Sequence, residues 1–167
     1  MACGKHQQAQ AQQAGELHRN FQGYTTHGDC DLLGLGVSSI SQLGNYYLQN
    51  SPDLASYNSM IMNQGSALVK SYQLNPDDQI RRQLITRLIC DFELNFPQLS
   101  ARCGVDIPSY FRSEFEQLQR LSAEGLVKLE PDRLEVLPLG RLLIRRICMI
   151  FDAYIGQPSE QRYSRII

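Results

Sequence analysis

The side chains of this chain that could do chemistry crowd between Leu17 and Ser41, in the stretch LHRNFQGYTTHGDCDLLGLGVSSIS. His18, Arg19, Asp29 and Asp31 bring charge, and Phe21 and Tyr24 bring rings. Gly23, Gly28, Gly34 and Gly36, with Gly44 just beyond, allow close or left-handed backbone. Little helical or strand periodicity runs through the segment. It reads as a polar loop shaped around a ligand, since such loops on a rigid scaffold carry binding residues. Ordinary surface turn chemistry is the competing reading. Several reaction classes lack their parts. His18 and His27 do not have the H-E-x-x-H or H-x-x-E-H spacing of a zinc helix, and no G-x-S-x-G presents a serine nucleophile. Gly34 and Gly36 fail the dinucleotide fingerprint because Ser39 stands where a third glycine is needed, and no G-K-S/T makes a P-loop. Arg141 and Arg145, four apart on one helix face, could hold a carboxylate or phosphate, or be matched to nearby acids.

The elements positioning these residues follow from composition and punctuation. Over 167 residues, 43% hydrophobic and 20% charged content supports a buried core in one domain or two small ones. A net charge of −1 gives no pull toward nucleic acid or an anionic membrane. Cys3, Cys30, Cys90, Cys103 and Cys148 show no C-x-x-C spacing, which argues against a disulfide framework or a local metal site. With no signal peptide and no long apolar run, the expected location is cytoplasmic.

Residues 1–16, rich in Gln and Ala, are expected to be frayed, or helical only near Ala9–Gly15. Leu32–Ser41 reads as a buried strand with a Gly/Ser turn. Ser51-Pro52-Asp53 opens a helix that ends at Gly65, followed by a short strand over Leu68–Leu74. Asn75-Pro76-Asp77-Asp78 opens a second helix, whose inner face carries Ile80, Leu84, Ile85, Leu88, Ile89 and Phe92 and which ends at Phe96-Pro97. Gln98–Cys103 makes a short helix closed by Gly104. Pro108 or Ser109 opens another, with Phe111, Phe115, Leu118 and Leu121 inward, closed by Gly125. Leu126–Glu130 and Arg133–Leu137 form a hairpin. Pro138 starts the last helix, with Leu142, Leu143, Ile147, Ile150, Phe151 and Tyr154 inward. Gly156-Gln157-Pro158 breaks it, and the apolar end of QRYSRII seeks a docking surface.

From 76 to 137 this is the element order of a winged helix-turn-helix, but the charges disfavour nucleic acid. The would-be reading helix carries Arg112 and Arg120 against Glu114, Glu116 and Glu124, and phosphates would repel it. A packing or protein-docking role fits better. The fold class is α+β, and the alternative to an enzyme is a non-catalytic winged-helix-like interaction module.

HRNFQGYTT, followed by GDCDLLGLGVSSIS, resembles the oxygen-independent coproporphyrinogen III dehydrogenase (oxidase) family of radical S-adenosylmethionine enzymes. The resemblance continues through IRRQLITRLICDFEL, EGLVKLE and LGRLLIRRICMIFDAYI to a final SR-x-I, and so covers about residues 15–167. It corresponds to the C-terminal part of such an enzyme. The family's C-x-x-x-C-x-x-C motif for a 4Fe–4S cluster is absent here, and MACGKHQQ departs from the family. The resemblance implies that residues 17–74 are the remnant of a catalytic α/β barrel edge and 75–167 a mainly helical, winged-helix-like C-terminal domain over the substrate site. For the whole enzyme it implies a 5′-deoxyadenosyl radical that abstracts hydrogen from two propionates of coproporphyrinogen III, giving vinyl groups after loss of carbon dioxide. It also implies that Phe21 and Gln22 lie beside cofactor and substrate, and that Gln22 and Ile40 contact S-adenosylmethionine. Arg19 and the Arg141/Arg145 face are candidates for the propionates, against structural pairing with Asp or Glu. The expectation is a truncated chain, inactive alone, monomeric, completed by a missing N-terminal barrel and engaging neither nucleic acid nor membrane.

Overall fold

The computed structural model describes residues 3–28 and 30–155. Asp29, the Gly156-Gln157-Pro158 break and the QRYSRII tail lie outside the described residues. Helix α1 (Cys3–Gln13) begins well before Ala9, contrary to the frayed start expected from its polarity. It is held by tertiary contact rather than by an apolar stripe. The Gln12 side chain donates to the Cys90 carbonyl at 2.5 Å, and Ala11 and Leu17 are buried against Cys90.

HRNFQGYTT is no irregular loop. Strands β1 (His18–Asn20) and β2 (Gly23–Thr25) pair antiparallel, with Arg19 opposite Tyr24 and Phe21-Gln22 as the tip. The Asn20 carboxamide oxygen accepts from the Gln22 N–H at 2.9 Å, the local bond that lets this dipeptide turn. The strand expected over Leu32–Ser41 is also corrected. Only a single bridge joins Leu32 to Gln42, and regular pairing starts at β3 (Ile40–Leu43). Side-chain bonds hold the intervening backbone instead: the Gly34 N–H donates to Ser41 Oγ at 3.0 Å, and Asn50 Nδ2 donates to the Gly36 carbonyl at 3.1 Å. Ser38 takes a left-handed φ of 58° there. Strands β3, β4 (Tyr46–Asn50) and β5 (Leu68–Gln73) form an antiparallel sheet in that order, with Ile40 opposite Gln49 and Tyr47 opposite Tyr72.

Helix α2 (Leu54–Gln64) links β4 to β5. Its cap is Asp53, which accepts from the Ser56 N–H at 2.7 Å, and not Ser51, whose N–H is taken by the Ala67 carbonyl. No residue of α2 is buried, and β5 is exposed along its whole length. Leu33, Leu35, Leu54, Met62 and Val69 are exposed with them, Leu35 and Met62 each to 84%. Among the described residues, nothing packs on the apolar face of this sheet and helix.

The core sits in the second half. Helix α3 (Pro76–Asp91) opens where the sequence places it, and its cap is a reciprocal capping box, Asn75 accepting from the Asp78 N–H and Asp78 from the Asn75 N–H. It ends earlier than Phe96, because Phe92 takes a left-handed φ of 60°. That turn sends the chain into β6 (Glu93–Asn95), an unforeseen strand on the outer edge of the wing. Then come α4 (Phe96–Cys103), α5 (Ile107–Tyr110), α6 (Arg112–Ala123) and the hairpin β7 (Val127–Leu129) and β8 (Arg133–Val136), giving the sheet order β6-β8-β7. The last helix is two short ones, α7 (Pro138–Leu142) and α8 (Ile144–Met149). The break turns Leu142 outward, to 81% exposure, and Leu143 and Tyr154 are exposed too; Ile147 and Phe151 are buried as expected. Leu84, Leu88, Phe96, Phe111, Leu118, Leu134 and Phe151 fill the centre. Arg81 clasps it, bonding Asp77 at 2.7 Å and Glu114 at 2.9 Å while lying 5.0 Å over the Phe111 ring.

Candidate functional site

Two of the residues singled out in the sequence meet at one cavity. The β1–β2 tip brings Phe21 over the β3–β5 sheet, where its ring makes an edge-to-face contact with Tyr47 at 5.6 Å. Ile40, the first residue of β3, lines the same cavity of about 580 Å³, together with Leu48, Val69 and Tyr72. Gly34 sets the position of Ile40, because a Cβ there would stand 2.6 Å from the Ile40 carbonyl oxygen. Gly28 is constrained in the same way, since a Cβ there would collide with the His18 ring. Gln22 is exposed at the tip beside Phe21 and lines neither this cavity nor the cleft described next. Phe21 is 57% exposed, so the pocket is half-open; its wall is mainly apolar and aromatic, with Gln49, Lys70 and Ser71 among the lining, and could receive a flat ring on one side.

A second cleft, about 470 Å³, opens on the other side of the hairpin, between β1 and the flank of α3. Arg19, Arg82, Arg87 and Arg102 line it with His18 and His27, and no carboxylate does so among the described residues. Arg141 and Arg145 do not take part: the Arg141 guanidinium lies 4.9 Å over the Phe92 ring, and Arg145 is exposed on α8.

The sheet is tied to the helical half by a carboxylate shared between two phenols. Tyr72 donates to Asp78 at 2.8 Å and Tyr154 donates to it at 2.7 Å, with the two hydroxyl oxygens 2.6 Å apart. Burial alone would raise the Asp78 pKa. The Tyr154 hydroxyl, the Asn75 N–H, Tyr72 and Arg81 reverse that and hold it below the usual carboxylate range. The same bonds, to Tyr72 and then Asp78, push the Tyr154 phenol well up.

An S-adenosyl group fits the first cavity in chemistry, since Ile40, Val69 and the Phe21 and Tyr47 rings would cover an adenine or a methylene chain. An iron–sulfur cluster does not fit the donors present. Burial pushes the Cys90 thiol up to about 11 and Cys148 to about 12, away from the thiolate a cluster needs. Among the described residues, no three His, Cys, Asp or Glu side chains gather to hold a metal. Tyr47, Val69, Tyr72, Arg82 and Arg102 escaped the sequence reading. Strand register and helix orientation bring them in, and no local motif marks them.

Residues 74–143 match the family described as the HemN C-terminal domain. The chain is 47% identical over 159 residues to the oxygen-independent coproporphyrinogen III oxidase of Pseudomonas aeruginosa, covering 95% of this chain and 35% of that protein. It is 45% identical over 160 residues to the protein of that name from Escherichia coli, with the same coverage of both. The solved structure of coproporphyrinogen III oxidase (HemN) from Escherichia coli, described as a radical SAM enzyme, is similar with a TM-score of 0.86 and 45% identity. That match covers 89% of this chain and 34% of that one. The chain thus spans about a third of the length of the relatives it matches. No helix among the described residues is long and apolar enough to cross a membrane.

Proposed function

Related to the oxygen-independent coproporphyrinogen III oxidases and carrying a HemN C-terminal domain over residues 74–143, this chain, we propose, forms the wall and cap of their radical chamber. The reaction is the oxidative decarboxylation of two propionates of coproporphyrinogen III to vinyl groups, giving protoporphyrinogen IX. The observation carrying this reading is the meeting of Phe21 and Ile40 at one apolar cavity, directly beside a sheet and helix whose outer face is bare.

The radical chemistry of such a reaction would come from S-adenosylmethionine and a 4Fe–4S cluster, whose cysteine ligands would have to come from the longer enzyme. The residues of this chain have other tasks. Ile40 and Val69 cover the apolar side of the nucleoside, and Phe21, braced by Tyr47, closes the chamber against water, which a radical reaction requires. Gln22, at the hairpin tip, offers an amide to cofactor or substrate. The bare face of β5 and α2 packs on the rest of the barrel. The helical half is held over the chamber through Tyr72, Asp78 and Tyr154. Alone, the chain is inactive, since it lacks the cluster's cysteine set; it is cytoplasmic and works with neither nucleic acid nor membrane.

A chimera tests this. The segment of the Pseudomonas aeruginosa enzyme that precedes its counterpart of residue 17 is fused ahead of residue 17 and assayed anaerobically with coproporphyrinogen III. The expected result is protoporphyrinogen IX formation that Phe21→Ala, Gln22→Ala and Ile40→Ala each reduce by tenfold or more. A soluble, cluster-loaded chimera that makes no product, or one indifferent to all three substitutions, overturns the reading.

A further inference from the structure

We infer that the cleft between the β1–β2 hairpin and α3 is a carboxylate-binding site, in which Arg19, Arg82 and Arg102 receive the acidic arms of an amphiphilic ligand. The inference rests on the function proposed above and assigns the substrate's propionates to residues of this chain.

In a protein of net charge −1, four arginines and two histidines line this cleft without an acid among the described residues. Arg87 is spoken for: it bonds Asp91 at 3.0 Å and also reaches the carbonyls of Gly15 and Leu17, which pins α1 and β1 to α3. The other three take part in no ion pair among the described residues. Arg82 reaches only neutral oxygens, the Gly44 carbonyl and the Asn45 side chain, each at 3.3 Å. Arg19 stacks 5.3 Å over the Tyr24 ring, which orients its fork without cancelling its charge. Arg102 is exposed in the last turn of α4.

Between the cations stand the apolar Ile85, Ile89, Leu99 and Phe21, mixed with polar groups such as Gln83 and Thr86. A ligand matched to this cleft carries several carboxylates on an apolar body, because guanidinium forks take carboxylates bidentately and the floor takes a ring edge. Phe21 lines both this cleft and the Ile40 cavity, so a carboxylate ligand here lies next to the proposed S-adenosyl group.

The test is a fluorescence titration of this chain with coproporphyrin III, the air-stable tetracarboxylate. A tetra-N-methylpyridyl porphyrin of opposite charge and citrate serve as comparators. Coproporphyrin is expected to bind, with affinity falling as salt rises, and the cationic porphyrin is not. Arg82→Gln and Arg102→Gln are each expected to raise its Kd about tenfold, the worth of one charge-assisted contact, while Arg120→Gln on α6 leaves it unchanged. All variants should keep the wild-type circular dichroism, as none of these side chains is buried. Coproporphyrin binding that ignores both substitutions overturns the cleft assignment while leaving the proposed function intact. Arginine-dependent citrate binding without coproporphyrin binding upholds the carboxylate site and removes the proposed function. Binding of neither ligand, or equal binding of both porphyrins, overturns the inference.

Discussion

Replacing Gly34 by alanine probes the coupling between backbone packing and the candidate site. The added Cβ would lie 2.6 Å from the Ile40 carbonyl oxygen and 2.8 Å from its carbon, whereas ordinary contact begins at 3.4 Å. Both contacts are backbone, so no side-chain rotation relieves them. The start of β3 must withdraw by the difference, roughly 0.8 Å for the oxygen. Overpacking of this kind costs about 1–3 kcal/mol. Local opening of β3 is read by hydrogen exchange at the Gln42 amide, which donates to the Leu32 carbonyl at 2.8 Å. With a tenfold change for each 1.4 kcal/mol, exchange there should speed up about fivefold to 150-fold. Amides of α3 such as Leu84 and Leu88, in the separate helical core, should not change. In the active chimera the same displacement of Ile40 should lower turnover on the order of a hundredfold. Unchanged exchange at Gln42, or a chimera as active as its parent, would refute the claim that Gly34 sets the position of Ile40.

The helical half yields further predictions. Arg81→Met strands Glu114 in a buried setting and should cost about 3 kcal/mol in urea unfolding; adding Glu114→Gln should recover part of that loss. Asp78 and Glu114 should set the acid limit of stability. Burial alone would raise the Glu114 pKa, but hydrogen bonds from Ser113 and Arg81 bring it below its ordinary value, as Tyr154, Asn75 and Tyr72 do for Asp78. Each group therefore contributes stability that is fully present above its ordinary pKa and lost as pH falls through the lowered folded value. The urea midpoint should drop on going from pH 6 to pH 3, and Asp78→Asn should shrink that drop. Native-state iodoacetamide labelling at pH 8 should modify the exposed Cys30 and spare Cys90 and Cys148, both buried and raised to about 11 and 12; peptide mapping reads the ratio.

What was legible in the sequence was local. Asn75-Pro76-Asp77-Asp78 carries the cap, the proline and the acids of a helix start within four residues, and α3 starts there. Gly65 and Gly104 close α2 and α4 at left-handed backbone, as glycine allows. The alternation over Leu126–Leu137 makes the wing hairpin. What failed depended on partners far along the chain. β1 and β2 have three residues each, too few to show a period, and their turn is set by the Asn20 side chain rather than by a turn dipeptide. α1 has no apolar stripe and is held by a carbonyl 78 residues away. Ser51 reads as the start of α2, but its N–H pairs with the Ala67 carbonyl and Asp53, two residues on, is the cap. The same division runs through the site. Phe21, Gln22 and Ile40 were named from a motif and a resemblance, whereas Tyr47 and Tyr72 enter through their pairing across β4 and β5. Arg82 and Arg102 enter through the turn of α3 and α4 toward the hairpin.

The central claim is that the bare face of α2 and β5 belongs against the remainder of a larger enzyme. Hydrogen exchange of residues 54–73, measured in this chain alone and in the chimera with α3 as the internal reference, tests it most directly. The account predicts fast exchange over 54–73 in the isolated chain and protection approaching that of α3 in the chimera. Equal protection of 54–73 in both would contradict it.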